Sequence, residues 1–197
     1  MRLLLIRHGR TASNVDRLLD TGHPGAPLDD TGLSQAEALV AALAEEPIEA
    51  VFTSDLTRAR QTGAPLAAAL GVPVRELPGL REIYAGDEDM SPDWTPYVAV
   101  LDSWFDDPTN SLPNGENAVV FLDRFDKAVA EIAAAGVECA ALVSHGAALR
   151  VWVPARAANL KPGAARAWRL DNTDVIIADG DPTSGWRISK WADQDIE

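Results

Sequence analysis

The chain has 197 residues, 47% of them hydrophobic, and a formal net charge of −13. That length allows one domain with a sizeable core, and the strong negative charge argues against nucleic acid, whose binding needs a basic surface. No apolar stretch approaches the roughly 18 residues of a membrane span. Residues 3–6 are too short for the apolar core of a secretory signal, and a single cysteine, Cys139, allows no internal disulfide. The expectation is a cytoplasmic protein that engages neither membrane nor nucleic acid.

The first element is an apolar run, Leu3-Leu4-Leu5-Ile6, that reads as a short buried strand and stops at Arg7-His8-Gly9. Residues 11–19 read as a short helix or helical turn, and residues 20–30, rich in Gly, Pro and Asp, as a loop. A helix opens near Thr31, with Leu33, Ala36, Leu39, Val40 and Leu43 at helical spacing and Pro47 beyond its end. Residues 50–52 form a second buried strand, running into Thr53-Ser54. The helix that follows, over 56–70, carries Arg58, is kinked or divided by Pro65 and closes at Gly71. Residues 72–77 read as a short strand.

Residues 80–104 are the least regular, broken by Pro78, Gly79, Gly86, Pro92 and Pro96. The acidic run Asp87-Glu88-Asp89 reads as a solvated loop, and 92–105 as a helix carrying Trp94, Tyr97, Trp104 and Phe105. Segments of this kind often hold binding residues on a rigid scaffold, so about 84–115 is the expected lid or substrate-selecting insertion. Of Tyr84, Trp94, Trp104 and Phe105, at least two are expected in the core and the rest in an apolar pocket. The helix over 116–135 has a core-facing stripe of Val119, Leu122, Phe125, Val129 and Ile132, with no ligand role. Gly136 ends it. Residues 139–143 form another buried strand, ending at Ser144-His145-Gly146, and 146–158 return to helix with a bend or end at Pro154. In the tail, 167–170, 175–178 and 186–191 read as strands. Strands alternating with helices predict a single α/β domain over 1–197, a three-layer αβα sandwich whose mostly parallel central sheet gains an antiparallel edge from the last strands.

Two of the three histidines, His8 and His145, share one context: apolar strand, His, Gly, helix. A lone His after a strand is commonly a hydrogen-bonded structural residue. Two in matching contexts would meet at the C-terminal edge of parallel strands, where open α/β sheets bind ligands. The glycine after each permits close backbone approach, and the helix N-terminus that follows favours an anion. Zinc would want further ligands at close spacing, and a guanidinium beside His8 opposes a cation, so no metal is expected. Two arginines, Arg7 and Arg58, near two histidines suit a phosphoryl group. Only three of the 17 basic residues are lysine. That bias is the signature of codon preference, and only the placement of Arg7 and Arg58 carries functional weight.

Several pieces then occur in a recognisable order: Arg7-His8-Gly9 with Asn14; Ala26-Pro27-Leu28-Asp29-Asp30-Thr31-Gly32 with Gln35-Ala36; Thr53-Ser54-Asp55-Leu56-Thr57-Arg58-Ala59 with Gln61-Thr62; Leu80-Arg81-Glu82-Ile83; Pro113-Asn114-Gly115-Glu116; and Val143-Ser144-His145-Gly146. This set resembles the histidine phosphatase (phosphoglycerate mutase-like) superfamily over about residues 2–172. The resemblance implies a phosphoglycerate mutase-like fold and a phosphatase that hydrolyses a small phosphate monoester through phosphohistidine. His8 would be the nucleophile. Arg7, Arg58 and His145 would hold the non-bridging oxygens, and Asn14 would add a neutral donor. Glu82 would protonate the leaving oxygen and then activate water. Gly146 and the loop residues Thr21, Gly22 and His23 would contact phosphate or substrate. No metal or organic cofactor is implied, the partner would be a small phosphorylated substrate, and a homodimer is compatible with the pattern.

Two departures stand out. Arg10 replaces the usual Glu or Gln, as either a cation at the mouth of the site or the partner of a carboxylate. Met90 replaces the second glycine of the loop after Glu82. A cofactor-dependent mutase built on the same centre is the nearest alternative, and a non-catalytic phospholigand-binding protein a further one. The short stretch between Glu82 and His145 favours hydrolysis. The sequence does not name the substrate.

Overall fold

The computed structural model describes residues 1–160 and 168–196. Four parallel strands make its first half: β1 (Arg2–Arg7), β2 (Ala50–Thr53), β3 (Val74–Glu76) and β4 (Cys139–Ser144). Three more extend it antiparallel: β5 (Val175–Asp181), β6 (Gly185–Trp191) and β7 (Gln194–Asp195). The sheet order is β3-β2-β4-β1-β5-β6-β7. The antiparallel edge is therefore a three-strand extension, as turn residues such as Gly180, Asp181 and Gly185 allow. The strand expected at 167–170 is a correction: 168–170 is irregular, and position 167 lies outside the described residues. There Trp168 packs edge-on against Trp191, 5.4 Å between ring centres, whose indole N–H donates to the Arg169 carbonyl.

β1, β2 and β4 are buried on both faces, which is why they read as unbroken apolar runs. Successive side chains go to opposite layers. Leu4, Ile6, Val51, Ala141 and Val143 pack with α2 (Asp30–Ala42) and α3 (Thr57–Leu70). Leu3, Leu5, Phe52, Ala140 and Leu142 pack with α5 (Ala118–Ala134) and α6 (Gly146–Arg156). Two smaller helices complete the chain, α1 (Ala12–Val15) and α4 (Thr95–Ser103). Among the described residues no helix is long and apolar enough to cross a membrane.

Both predicted stripes hold along most of their length, at Ala36, Leu39 and Leu43 and at Phe125, Val129 and Ile132, and differ in the first turns. In α2 the buried face is Gly32, Ala36, Leu39 and then Leu43, while Leu33 is exposed. Gly32 lies so close to the Arg10 carbonyl that a Cβ there would come within 2.1 Å of it, so the helix is docked by a residue with no side chain. In α5, Phe121 and Phe125 lead the buried face, Val119 is exposed and Leu122 is half-buried. The helix begins where the Asn117 side chain caps the Val120 N–H.

The loop between β3 and α4 is fixed by contacts the sequence did not announce. Arg124 of α5 donates to the carbonyls of Gly79, Arg81 and Glu82 and pairs with Glu116 at 2.6 Å. Asp89, expected as part of a solvated run, accepts the Thr21 and Gly22 N–H groups and the Thr21 hydroxyl. Met90, where a glycine was expected, adopts a left-handed φ of 64° and donates its N–H to Leu19. Gly86 turns with φ +61° between these anchors, and a Cβ on it would fall 2.1 Å from the Pro113 carbonyl oxygen. Gly86→Ala should therefore cost about 2 kcal/mol or more, read as a lower denaturant midpoint at unchanged m; an unshifted midpoint would contradict this packing.

Candidate active site

The parallel register of β1 and β4 sets Arg7 opposite Ser144, so His8 and His145 leave the sheet side by side. The His8 N–H donates to the Ser144 carbonyl at 3.0 Å, and the two imidazole centres lie 5.2 Å apart. β2 pairs on the other side of β4, with Thr53 opposite Val143, which brings Ser54 to the same edge. α3 begins three residues later and places Arg58 in its first turn.

A hydrogen bond to a carbonyl fixes which nitrogen of His8 carries a proton. His8 Nδ1 lies 2.7 Å from the Gly9 carbonyl. A carbonyl can only accept, so Nδ1 carries the proton and neutral His8 keeps its lone pair on Nε2. His145 Nε2 lies 2.9 Å from the Ser54 hydroxyl, which already accepts the Leu56 N–H. A hydroxyl has two acceptor lone pairs, so this contact is compatible with either tautomer of His145, whose other ring nitrogen is Nδ1. That atom is buried with no partner among the described residues, as is Nε of Arg7. Buried polar atoms without a partner are uncommon and call for an explanation. Burial holds His8 well below the ordinary imidazole range, helped by the charges of Arg58 and then Arg7, against the opposing Gly9 hydrogen bond. His145 is likewise held well below it, by burial and then by Arg58.

Arg7 is anchored by a bond from Nη1 to the Leu170 carbonyl at 2.7 Å. Arg58 is only 2% exposed. It donates to the Asp20 carbonyl at 2.9 Å and meets the Asp20 carboxylate at 3.5 Å. Burial lowers the guanidinium pKa of each, and the charge of Glu82 opposes that in both. Asn14 caps its own helix with Thr11 and accepts from the Asn172 amide through Oδ1, so its amide N–H groups are the ones left for a ligand. The Asn172 amide also donates to the His8 carbonyl at 2.9 Å. Glu82 sits at the start of α6, accepting the Ala147 and Ala148 N–H groups at 3.0 and 2.7 Å, a position that suits a carboxylate.

These side chains open on a cavity of about 850 Å³, whose lining includes Arg7, His8, Asn14, Thr21, Arg58, Glu82 and Gly146. His145 lies immediately behind His8, fully buried. Three of the expected residues are elsewhere. Arg10 turns to Asp29 at 2.8 Å and to the Thr31 hydroxyl, so it braces the start of α2 and does not line the cavity. His23 is exposed, off the cavity wall. Gly22 also lies off the wall, and its Cα faces Asp89. Of the four aromatics in question, only Trp104 is core; Trp94 and Phe105 line the cavity at 39% and 58% exposure, and Tyr84 is exposed away from it. Leu122, given no ligand role, also lines the cavity. Sequence reasoning missed Asp20, Ser54, Arg150 and Asn172. The Ser54 position next to the strand end was the one available signal.

The fold and this pocket define an α/β protein with a cavity at the C-terminal edge of its parallel strands, where two imidazoles and two guanidinium groups come together. The histidine phosphatase superfamily (branch 1) matches residues 3–194, and the chain belongs to it. It is 34% identical to the adenosylcobalamin/alpha-ribazole phosphatase of Salmonella typhimurium, with 78% of each chain covered. It is 31% identical to a probable phosphoglycerate mutase GpmB of Serratia proteamaculans, over 97% of this chain and 90% of that one. It spans only 35% of a Mycobacterium tuberculosis PE-PGRS family protein to which it is 32% identical, with 94% of this chain covered. A mycobacterial glucosyl-3-phosphoglycerate phosphatase, solved with VO3, superimposes with a TM-score of 0.82 at 26% identity, covering 97% of this chain and 98% of that one.

The protonation states are directly testable. Imidazole ¹⁵N shifts should show both His8 and His145 neutral at pH 6, below the ordinary histidine pKa of about 6.5, with His8 protonated at Nδ1. Because the Arg58 charge lowers the His8 pKa, Arg58→Met should move the His8 titration upward. A ring charged at pH 6 in the unmodified chain would contradict the assignment.

Proposed function

We propose that the chain is a phosphomonoesterase that works through phosphohistidine on His8. The observation that carries this reading is the hydrogen bond from His8 Nδ1 to the Gly9 carbonyl, which leaves Nε2 as the nitrogen with a lone pair to offer in a cavity shared with Arg7 and Arg58. A charged imidazole has no lone pair to give, and burial among cations keeps this one uncharged.

In the first step Nε2 attacks phosphorus and the ester P–O bond breaks. The electron pair leaves on the alcohol oxygen, which takes a proton from Glu82. Arg7, Arg58 and Asn14, which line the cavity, hold the non-bridging oxygens as charge builds there, with His145 behind His8 completing the cluster. In the second step Glu82 takes a proton from water, water attacks phosphorus, and the P–N bond returns its pair to Nε2. Among the lining carboxylates, Asp20 is engaged by Arg58, Ser13 and the Ala26 N–H. Glu82 pairs with no cation within salt-bridge distance among the described residues, its partners being backbone N–H groups, and it is the carboxylate we assign to proton transfer.

Phosphate release from p-nitrophenyl phosphate and from alkyl phosphates tests this. His8→Ala should lower kcat by at least about a thousandfold with the fold intact. Glu82→Gln should slow alkyl esters by at least about a hundredfold and the activated aryl ester far less; equal losses on both would contradict the proton-transfer role. Interconversion of 3- and 2-phosphoglycerate faster than phosphate release would favour the mutase alternative. Phosphate binding without any turnover would favour a phospholigand-binding protein.

A further inference from the structure

The cavity reaches well past the groups that would hold phosphate. At about 850 Å³ it is in the range of sites that enclose a whole small molecule. α4 and its flanks turn Trp94, Val98, Leu101 and Phe105 to it, at steps of four, three and four residues, which is one helical face. Trp94 and Val98 stay 39% and 47% exposed, although large apolar residues gain most from burial. Leu122 of α5 and Val151 of α6 line the same cavity. Two charged residues lie further along the lining: Arg150 spends one N–H on the Trp168 carbonyl at 2.7 Å, and Asp102, on α4, has a partner of its own.

A polyol or a carboxylate carried on the phosphate would meet this wall with its hydroxyls and charge unpaired, at a cost. An apolar group would instead be drawn out of water against it. Resting on the phosphoryl-site reading above, we propose that the site takes phosphate monoesters of bulky apolar alcohols, aromatic ones above all, in preference to small polyol or acid phosphates. The face of α4 is the selecting surface.

Calorimetry on the intact chain with three phosphonates separates this claim from the catalytic one. 1-Naphthylmethylphosphonate should bind at least about tenfold more tightly than methylphosphonate, and 2,3-dihydroxypropylphosphonate should gain nothing over methylphosphonate. Val98→Asn, at an exposed position that adds polarity without charge, should bring the naphthyl-to-methyl ratio down severalfold. Phosphate release from 1-naphthyl phosphate and glycerol 1-phosphate is measured in parallel. Naphthyl preference without release from either ester would overturn the phosphatase reading and leave the ligand class standing. Release with no naphthyl preference, or with a dihydroxypropyl preference, would overturn the ligand class and leave the phosphatase. A preference untouched by Val98→Asn would remove α4 as the selecting surface, and failure of all three phosphonates to bind would overturn both.

Discussion

Parallel pairing between β1 and β4, with Arg7 opposite Ser144, puts two imidazoles within 5.2 Å at one sheet edge. Everything proposed for the site depends on that register, because a one-residue slip would send every side chain to the opposite layer. The apolar alternation holds it: Leu3 and Leu5 belong to one layer, Leu4 and Ile6 to the other, all fully buried. The same burial surrounds the rings with low-dielectric protein and two cations. Both effects push toward the neutral imidazole, and the Gly9 carbonyl then decides which nitrogen keeps the lone pair.

Burying Arg7 and Arg58 is costly unless each charge is answered. The protein answers in part, with the Leu170 carbonyl for Arg7 and with Asp20 for Arg58. It leaves the Arg7 Nε and His145 Nδ1 atoms without partners among the described residues. In the proposed reaction an anion of phosphoryl size at this cluster offsets part of that cost. The chain as a whole carries −13, so attraction has to come from this short-range cluster, and long-range steering works against an anionic ligand. Raising ionic strength weakens that repulsion over distances beyond about 8–10 Å and leaves the buried contacts largely intact.

The strands and the two histidines were legible because their signals are local. A buried parallel strand is a short apolar run, and the polar residues delivering chemistry follow directly. His8, Arg58, Glu82 and His145 all meet at one site, although they lie far apart in sequence. Other features were set by contacts between distant residues. Whether Arg10 faces the cavity depends on Asp29, nineteen residues away, and on the docking of Gly32 under its carbonyl. The difference in the first turn of the α2 stripe has the same origin: Leu33 has helical spacing, but the glycine beside it takes the close approach. The aromatic residues of 84–105 could not be divided between core and cavity from spacing alone. Only packing shows that Tyr97 and Trp104 are buried in the core at the cavity wall, while Trp94 lines the cavity and stays partly exposed. Asp89 read as solvent-facing because its partners, the Thr21 and Gly22 N–H groups, are backbone atoms.

The central claim is that Nε2 of His8, freed by the Nδ1 bond to Gly9, forms a bond to phosphorus. Rapid quenching of the chain during turnover of an aryl phosphate, under alkaline conditions that preserve phosphohistidine, tests it most directly. The account predicts a single phosphoryl group on His8, with the attachment at Nε2 shown by NMR of the isolated peptide. Attachment at Nδ1, or on any other side chain, or steady turnover with no phosphorylated chain when the second step is slowed by Glu82→Gln, would contradict it.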